Sequence, residues 1–418
     1  MAIATGAVAS PGIGTLVLRI YLPFAAAYFL SYLYRTVNSV VGPVIADEMK
    51  LSAGDLGFLT SAYFIMFSAI QIPLGVALDR YGPRRVHGTL LTAAAVGAAV
   101  FGNGAPMTEL VIGRALIGLG VAGGLMAAIK AISLWFPANR WTLMTGIHMA
   151  AGGVGSLTAT APTQAALNYT TWHGLFFLLA GITLVVALAI WLVVPEKPGS
   201  RASGSLAQQF SAVGRILSTG YFWRIVPAMT FQQCAYIAIQ TLWAGPWLRD
   251  VAGMDATSRA DVLLMTAAAM TVGFVTTGMV AGVVRRFGFG DFHTATGAMV
   301  IFCIVMVVIT FTQPANPTLW WMLFGYFGAY GIVYFPPLVQ AFTPELAGRV
   351  TTTGNFVTFT IIFLGQWGIG RIVDLWPRTA SGYSPEGYTW AFSLLIGLQV
   401  IALFWLLLFR ARPPIEQR

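Results

Sequence analysis

Stretches of predominantly apolar residues follow one another along almost the whole chain, separated by short polar breaks. A helix rises about 1.5 Å per residue, so a run of about 20 covers the ~30 Å of bilayer hydrocarbon. In hydrocarbon each backbone N–H and C=O must be satisfied within the segment, so such runs fold as helices. Twelve runs qualify: residues 16–45, 55–77, 87–105, 109–133, 142–166, 172–194, 222–247, 261–283, 294–312, 318–341, 351–372 and 389–409. Composition agrees, with 57% hydrophobic and only 9% charged residues, where soluble domains carry about 25% charged. The expectation is an all-α membrane protein of twelve transmembrane helices. Cys234 and Cys303 both fall inside apolar runs, so neither a disulfide framework nor a metal site is expected. The N-terminus has no basic stretch before its apolar run, which predicts that the first span is kept rather than cleaved.

The basic residues orient these spans. If both termini lie on one side, that side carries Arg19, Arg80, Arg84, Arg85, Arg140, Lys197, Arg201, Arg215, Arg224, Arg285, Arg286, Arg349, Arg410, Arg412 and Arg418. The other side carries Lys50, Arg249, Arg259, Arg371 and Arg378. The positive-inside rule then places both termini in the cytoplasm, with the inner (plasma) membrane as the expected location. The net charge of +9 is absorbed by this orientation, and no nucleic-acid partner is called for.

The longest inner loop divides the spans into an N-terminal bundle, residues 1–195, and a C-terminal bundle, residues 222–418, joined by a cytoplasmic linker, residues 196–221. Leu206, Phe210 and Val213 fall at helical spacing in that linker, which predicts a helix lying on the inner leaflet. The halves echo one another. "VVGPVI" from Val40 returns as "WAGPWL" from Trp243, "SAGDLGFL" from Ser52 as "SRADVLLM" from Ser258, and "LGVALDRYG" from Leu74 as "VAGVVRRFG" from Val280. Matches in constant order and spacing indicate an internal repeat, and two parallel six-helix bundles imply a cavity at their interface.

"GVALDRYGPRR" (Gly75 to Arg85) resembles the loop signature of the major facilitator superfamily, and "RALIGLGVAGG" (Arg114 to Gly124) resembles its fourth-helix motif. The resemblance covers the whole chain. It implies the major facilitator fold and a secondary transporter working by alternating access. It also gives Gly75, Asp79, Arg80, Gly82, Arg84 and Arg114 structural or gating roles, with Asp79 helping to hold the halves together on the cytoplasmic side. The second copy has Arg285 where the first has Asp79, so the halves are not equivalent.

Three cations, Arg35, Arg114 and Lys130, remain inside spans, while all 14 acids read as loop or helix-end residues. A charge at mid-membrane needs a cavity or a partner. With no acid at hand, an anionic substrate is the natural answer to Arg35, which lies 12 residues before Asp47, about 18 Å along a helix. "YRTVNSVVGPVI" resembles the anion:cation symporter branch, which includes organophosphate/phosphate antiporters and sialic-acid carriers. That resemblance implies that Arg35, eight residues before Pro43, contacts the substrate. The second arginine and the lysine of the phosphate carriers are here Ala238 and Gln71, which suits a carboxylate better than a phosphate. Further candidates for the binding site are Asn38, Gln71, Lys130, His148, Gln233, Tyr236, Gln240, Tyr330 and Asn355. Tyr330 is the centre of a stripe with Tyr326 and Tyr334, and His148 is placed to titrate near neutral pH.

The leading expectation is a permease for a small organic anion, coupled to H+ or Na+ and acting as a monomer. The alternative is a proton-coupled exporter of drugs or metabolites. The fifth span, "GIHMAAGGVGSLTATAP", lacks the Gly-Pro pair many such exporters carry. A transporter-like sensor ranks lower. No nucleophile elbow, phosphate loop or metal-ligand cluster appears, so neither an enzyme nor a cofactor is expected.

Overall fold

The computed structural model describes residues 12–104, 106–196, 206–314, 316–343, 346–379 and 382–414. Lys197, Arg201, Glu345, Glu416 and Arg418, counted above among the loop charges, lie outside them. Among the described residues the chain forms twelve helical rods: α1 (13–48), α2 (53–81), α3 (83–103), α4 (Met107–Trp135), α5 (141–166), α6 (Trp172–Val193), α7 (220–250), α8 (Ala256–Arg286), α9 (Asp291–Thr312), α10 (Thr318–Gln340), α11 (Ala347–Val373) and α12 (Pro385–Leu408). The spans read from hydropathy coincide with these rods to within a few residues at most ends.

Local chemistry sets several boundaries. The Ser52 hydroxyl accepts the Asp55 N–H while the Asp55 carboxylate accepts the Ser52 N–H, a capping box that starts α2. At Gly82 the backbone turns to φ 80° and ψ 161°, conformations open to glycine, and Pro83 begins α3. Asp255 accepts from the N–H groups of Thr257 and Ser258 and starts α8.

Two faces of the bundle can be told apart by what meets there. Leu16 and Ile20 at the start of α1 share a core with Leu78, Ile132, Met144 and Val194. Nearby, Arg85 pairs with Glu196 at 2.7 Å, and Arg224 at the start of α7 donates to the Ala411 carbonyl beyond α12. This is the basic face. On the far face, Trp172 donates to Glu48 at 2.7 Å, joining the end of α1 to the start of α6.

The first six rods meet the last six through α2 on α11, α5 on α8 and α1 on α7. The contact is tightest at the far face. A Cβ on Gly245 would sit 1.8 Å from the Ser39 carbonyl oxygen, and one on Gly370 would sit 2.2 Å from the Ala53 carbonyl oxygen. Small residues let these backbones touch. Polar bonds join the same edge. Arg249 pairs with Asp47 at 2.9 Å and Tyr383 donates to the Leu51 carbonyl at 3.1 Å, while within the last six rods Trp243 of α7 donates to the Gln366 carbonyl of α11 at 3.0 Å.

The connecting helix Leu206–Leu217 lies against the Ala53–Asn103 helix and α11. Ala212 and Ile216 are fully buried there. Its apolar side therefore faces protein, not lipid as the spacing alone suggested. The side chains of Leu206 and Phe210 lie outside the described residues.

Candidate functional site

A cavity of about 620 Å³ lies between the two sets of six rods, walled by α1, α2, α4, α5, α7, α8, α10 and α11. Its lining includes Thr145 and Thr351, each four residues into its rod from the basic face, which is about 6 Å of helix. On the far side the close backbone contacts of α1 with α7 and α2 with α11 shut it. The cavity thus opens toward the basic face.

Arg35 stands in this cavity near the middle of α1, 9% exposed. Three aromatic rings surround its guanidinium: Tyr32 at 4.8 Å, Phe67 at 5.2 Å and Phe359 at 5.4 Å from Cζ to ring centroid. Phe67 comes from α2 and Phe359 from α11, so rings of both sets of rods flank one cation. Such faces attract a guanidinium and also strip water from it. The Arg35 Nε has no hydrogen-bond partner. Among the described residues that line the cavity there is no Asp, Glu, Lys or His, so Arg35 is the one formal charge on its wall.

Six of the ten binding candidates line this space: Arg35, Gln71, Gln233, Tyr236, Gln240 and Asn355. Four sit elsewhere. Asn38 donates to Thr60 of α2 at 2.9 Å and is fully buried, so it packs between rods and does not line the cavity. Lys130 pairs with Asp79 at 2.9 Å, toward the basic face. His148 is buried behind the wall, its ring stacked on Tyr28 at 4.3 Å. Tyr330 bonds Tyr326 at 3.0 Å, and residues Ala329–Tyr334 wind as a 3-10 helix, so the four-residue stripe does not present one face to the cavity.

The loop motif sits on the basic face. Asp79 has its ion-pair partner on α4, Arg84 Nε donates to the Trp191 carbonyl of α6 at 2.9 Å, and Arg80 lies over Tyr81. These partners all belong to the first six rods, in keeping with a cavity open on that side. Gly75 and Gly82 have open space around their Cα atoms, so Gly82 is required by its backbone angle and not by crowding. Arg114 is 1% exposed, donates to the Tyr34 carbonyl at 3.2 Å, and lies between the rings of Tyr63 and Phe101. It ties α4 to α1 and does not line the cavity.

Several wall residues escaped the sequence reading. Tyr28 and Tyr32 share a helical stripe with Arg35, Phe67 precedes Gln71 by one turn, and Phe359 follows Asn355 by one turn. Their spacing to polar candidates was the available signal. Most hydroxyls of the wall are turned inward on the protein. Ser31 donates to the Val121 carbonyl, Thr241 donates to that of Ile237, and Thr36 and Thr358 bond Ser156 and Thr230.

At the far face, Asp374 of the α11 C-terminus accepts the N–H groups of Ala53 and Gly54 at 2.8 and 2.7 Å. It caps α2 from the other half of the chain. Its sequence setting, Gly370-Arg371-Ile372-Val373-Asp374, repeats the Gly75-to-Asp79 spacing at the end of α2.

Comparison with known proteins places these features. The family profile of the Major Facilitator Superfamily matches residues 24–369. The hexuronate transporter of Escherichia coli (strain K12) is 24% identical over 213 residues, 47% of this chain and 49% of that protein. The probable sulfoacetate transporter SauU of Cupriavidus necator is 26% identical over 187 residues, 45% of this chain and 43% of that protein. The probable L-galactonate transporter of Escherichia coli (strain K12) is 28% identical over 170 residues, 41% of this chain and 37% of that protein. The chain thus spans less than half the length of each of these curated relatives. Among solved structures, an inward-facing, unoccupied bacterial homolog of the human lysosomal transporter Spinster superposes with TM-score 0.76 at 18% identity, covering 95% of this chain and 97% of that one. A D-xylose–proton symporter superposes with TM-score 0.74 at 16% identity, covering 95% and 99%.

Proposed function

The chain belongs to the Major Facilitator Superfamily of membrane transporters, and we propose that it moves a small organic anion, a carboxylate, by alternating access. The moving bodies are residues 1–195 and 222–418, joined by residues 196–221. The basic face is cytoplasmic, with both termini there, in the inner (plasma) membrane. The closed far face and the cavity open to the basic face make this the inward-open state. The transporter acts as a monomer, with H+ or Na+ as the coupling ion.

One observation carries this reading. Arg35 is a buried cation in the central cavity, and no carboxylate lines that cavity to answer it. A buried charge without a counterion is costly, and an anionic substrate relieves that cost on binding. The substrates in the names of these relatives, hexuronate and, for the two named as probable transporters, L-galactonate and sulfoacetate, are anions, which supports the same reading. The amides of Gln71, Gln233 and Asn355 add hydrogen-bonding groups from both bodies, so one substrate can bridge α1 and α2 to α7 and α11.

Uptake of labelled carboxylates into proteoliposomes, with binding read by thermal shift, tests it. Arg35→Ala abolishes binding and uptake while the protein stays folded and inserted. Arg35→Lys keeps the charge, loses the planar fork, and binds more weakly. If Arg35→Ala binds carboxylates with unchanged affinity, Arg35 only ties helices together and the anionic reading fails.

A further inference from the structure

The wall of the cavity separates the charge from a large apolar remainder. Around Arg35 stand aromatic rings and a few amides. Toward the basic face the lining is mainly Met126, Ile129, Phe274, Ile332 and Phe335, with Thr145, Asn355 and Thr351, whose hydroxyl donates to the Ala347 carbonyl, as its polar members. Ser31 and Thr241 donate to carbonyls, and Thr36 and Thr358 bond other hydroxyls, which leaves the Tyr236 hydroxyl and the Gln71 Oε1 as unpaired polar atoms of this wall. Even the Gln71 side-chain NH2 donates to the Phe67 carbonyl, at 3.3 Å.

From this we infer that the substrate is a monocarboxylate with a mainly apolar body, aromatic or aliphatic, and not a sugar acid. The inference rests on the anionic reading proposed above. A sugar acid carries a hydroxyl on nearly every carbon. Each would leave water for a wall that is largely carbon and offers few unpaired polar atoms, and buried polar groups without partners are strongly disfavoured. An apolar body gains from the same wall. The ring-flanked guanidinium points the same way. Phe67 and Phe359 exclude water from its faces and leave its edges as the donors. A carboxylate takes two such parallel donors in plane. The cavity, at about 620 Å³, has room for a ring or a medium-length chain beyond the carboxylate.

Binding to the full-length protein in lipid nanodiscs tests this, by thermal shift and titration with phenylacetate, octanoate, galacturonate and the neutral benzyl alcohol. Phenylacetate and octanoate bind at least about tenfold more tightly than galacturonate, a gap of the size a site opens when it cannot pair a ligand's polar groups. Arg35→Ala removes phenylacetate binding, and Arg35→Lys, which keeps the buried charge and serves if the alanine variant misfolds, weakens it. Phe274→Asn weakens phenylacetate by about three- to tenfold and narrows its lead over galacturonate. Galacturonate binding as tightly as phenylacetate, and needing Arg35, overturns the apolar-body inference and leaves the anionic reading standing. Benzyl alcohol and phenylacetate binding equally, with no effect of Arg35→Lys or Arg35→Ala, overturns both. No response to phenylacetate or octanoate at millimolar concentration also overturns the inference.

Discussion

Replacing Asp374 by asparagine should loosen the far face and shift the protein toward the state open there. The Asp374 carboxylate takes two backbone N–H groups of α2, from Ala53 at 2.8 Å and Gly54 at 2.7 Å. Those N–H groups belong to the first turn of a helix, where no intrahelical acceptor exists and the dipole favours a negative charge. Asparagine keeps one acceptor oxygen and turns an NH2 toward the other N–H. Loss of an N-cap acceptor costs about 0.5 to 2 kcal/mol, and loss of the charge at the helix terminus about 0.3 to 1 kcal/mol. Asp374 is only half-buried, so the lower part of that range applies, about 1 to 2 kcal/mol in total. Because the contact exists only while the far face is closed, the whole of it enters the equilibrium between states. The ratio of closed to open should fall about 5- to 30-fold. Spin labels on cysteines at Tyr169 and Ala256, exposed at the far ends of α5 and α8, report the separation. The expected result is a longer-distance population that is absent or minor in the parent protein. Gly370→Ala, whose Cβ would come within 2.2 Å of the Ala53 carbonyl oxygen, should move the same population further. An unchanged distance distribution in both variants would refute the idea that this contact governs closure.

Other substitutions test the remaining contacts. Arg249→Met removes the partner of Asp250, whose side chain is 0% exposed, and should lower stability by about 3 to 5 kcal/mol as a buried charge loses its counterion. By contrast Asp47→Asn, at a side chain 66% exposed, should cost less than about 1 kcal/mol; thermal unfolding compares the two. The Asp79–Lys130 pair is partly exposed, at 41% and 33%, so Asp79→Asn, Lys130→Met and the double variant should give a coupling of about 0 to 1 kcal/mol in a double-mutant cycle; a larger value would mean that the pair holds the first six rods together. Gly245→Ala, with a Cβ due 1.8 Å from the Ser39 carbonyl, should part α1 from α7 and lengthen the same far-face distance. A drop in melting temperature without that lengthening would reduce the contact to packing.

The spans were legible because the bilayer imposes a constraint that hydropathy reads directly. The turn at Gly82 was legible because a Gly-Pro step between two apolar runs admits few conformations. Arg35 was legible by depth alone: it is too far from either end to reach water along the helix. Which neighbours share its face was not. That reading assumes an unbroken 3.6-residue period, and the rods depart from it where they matter. The 3-10 stretch Ala329–Tyr334 takes Tyr334 off the face that Tyr326 and Tyr330 share, and Asn38 is taken up by Thr60 of α2, a partner that spacing along α1 does not disclose. Lys130 and Asp79 are 51 residues apart, and only the packing of α4 beside α2 brings them together. Asp374 read as an ordinary loop acid because its acceptor role is for backbone groups 320 and 321 residues away.

The internal repeat acquires its physical meaning at the far face. Gly42-Pro43 of α1 and Gly245-Pro246 of α7 are the residues the repeat pairs, and they meet across the interface. Gly245 lies against the Ser39 carbonyl, and a Cβ on Gly42 would touch Leu242 at 3.0 Å. The Gly-to-Asp spacing at the end of α2 recurs at the end of α11, with the second aspartate on the opposite face. One aspartate caps a helix of the other half and the other, on the open side, bonds within its own half. Apolar side chains fill the same seam: Phe58 lies 5.7 Å from Trp367, Phe64 lies 6.1 Å from Phe359, and Val41 and Leu56 share one buried core with Leu242 and Trp243. The contact is thus both polar and apolar, and a ligand that bridges α1 and α2 to α7 and α11 would shift it only by as much as its affinities for the two states differ.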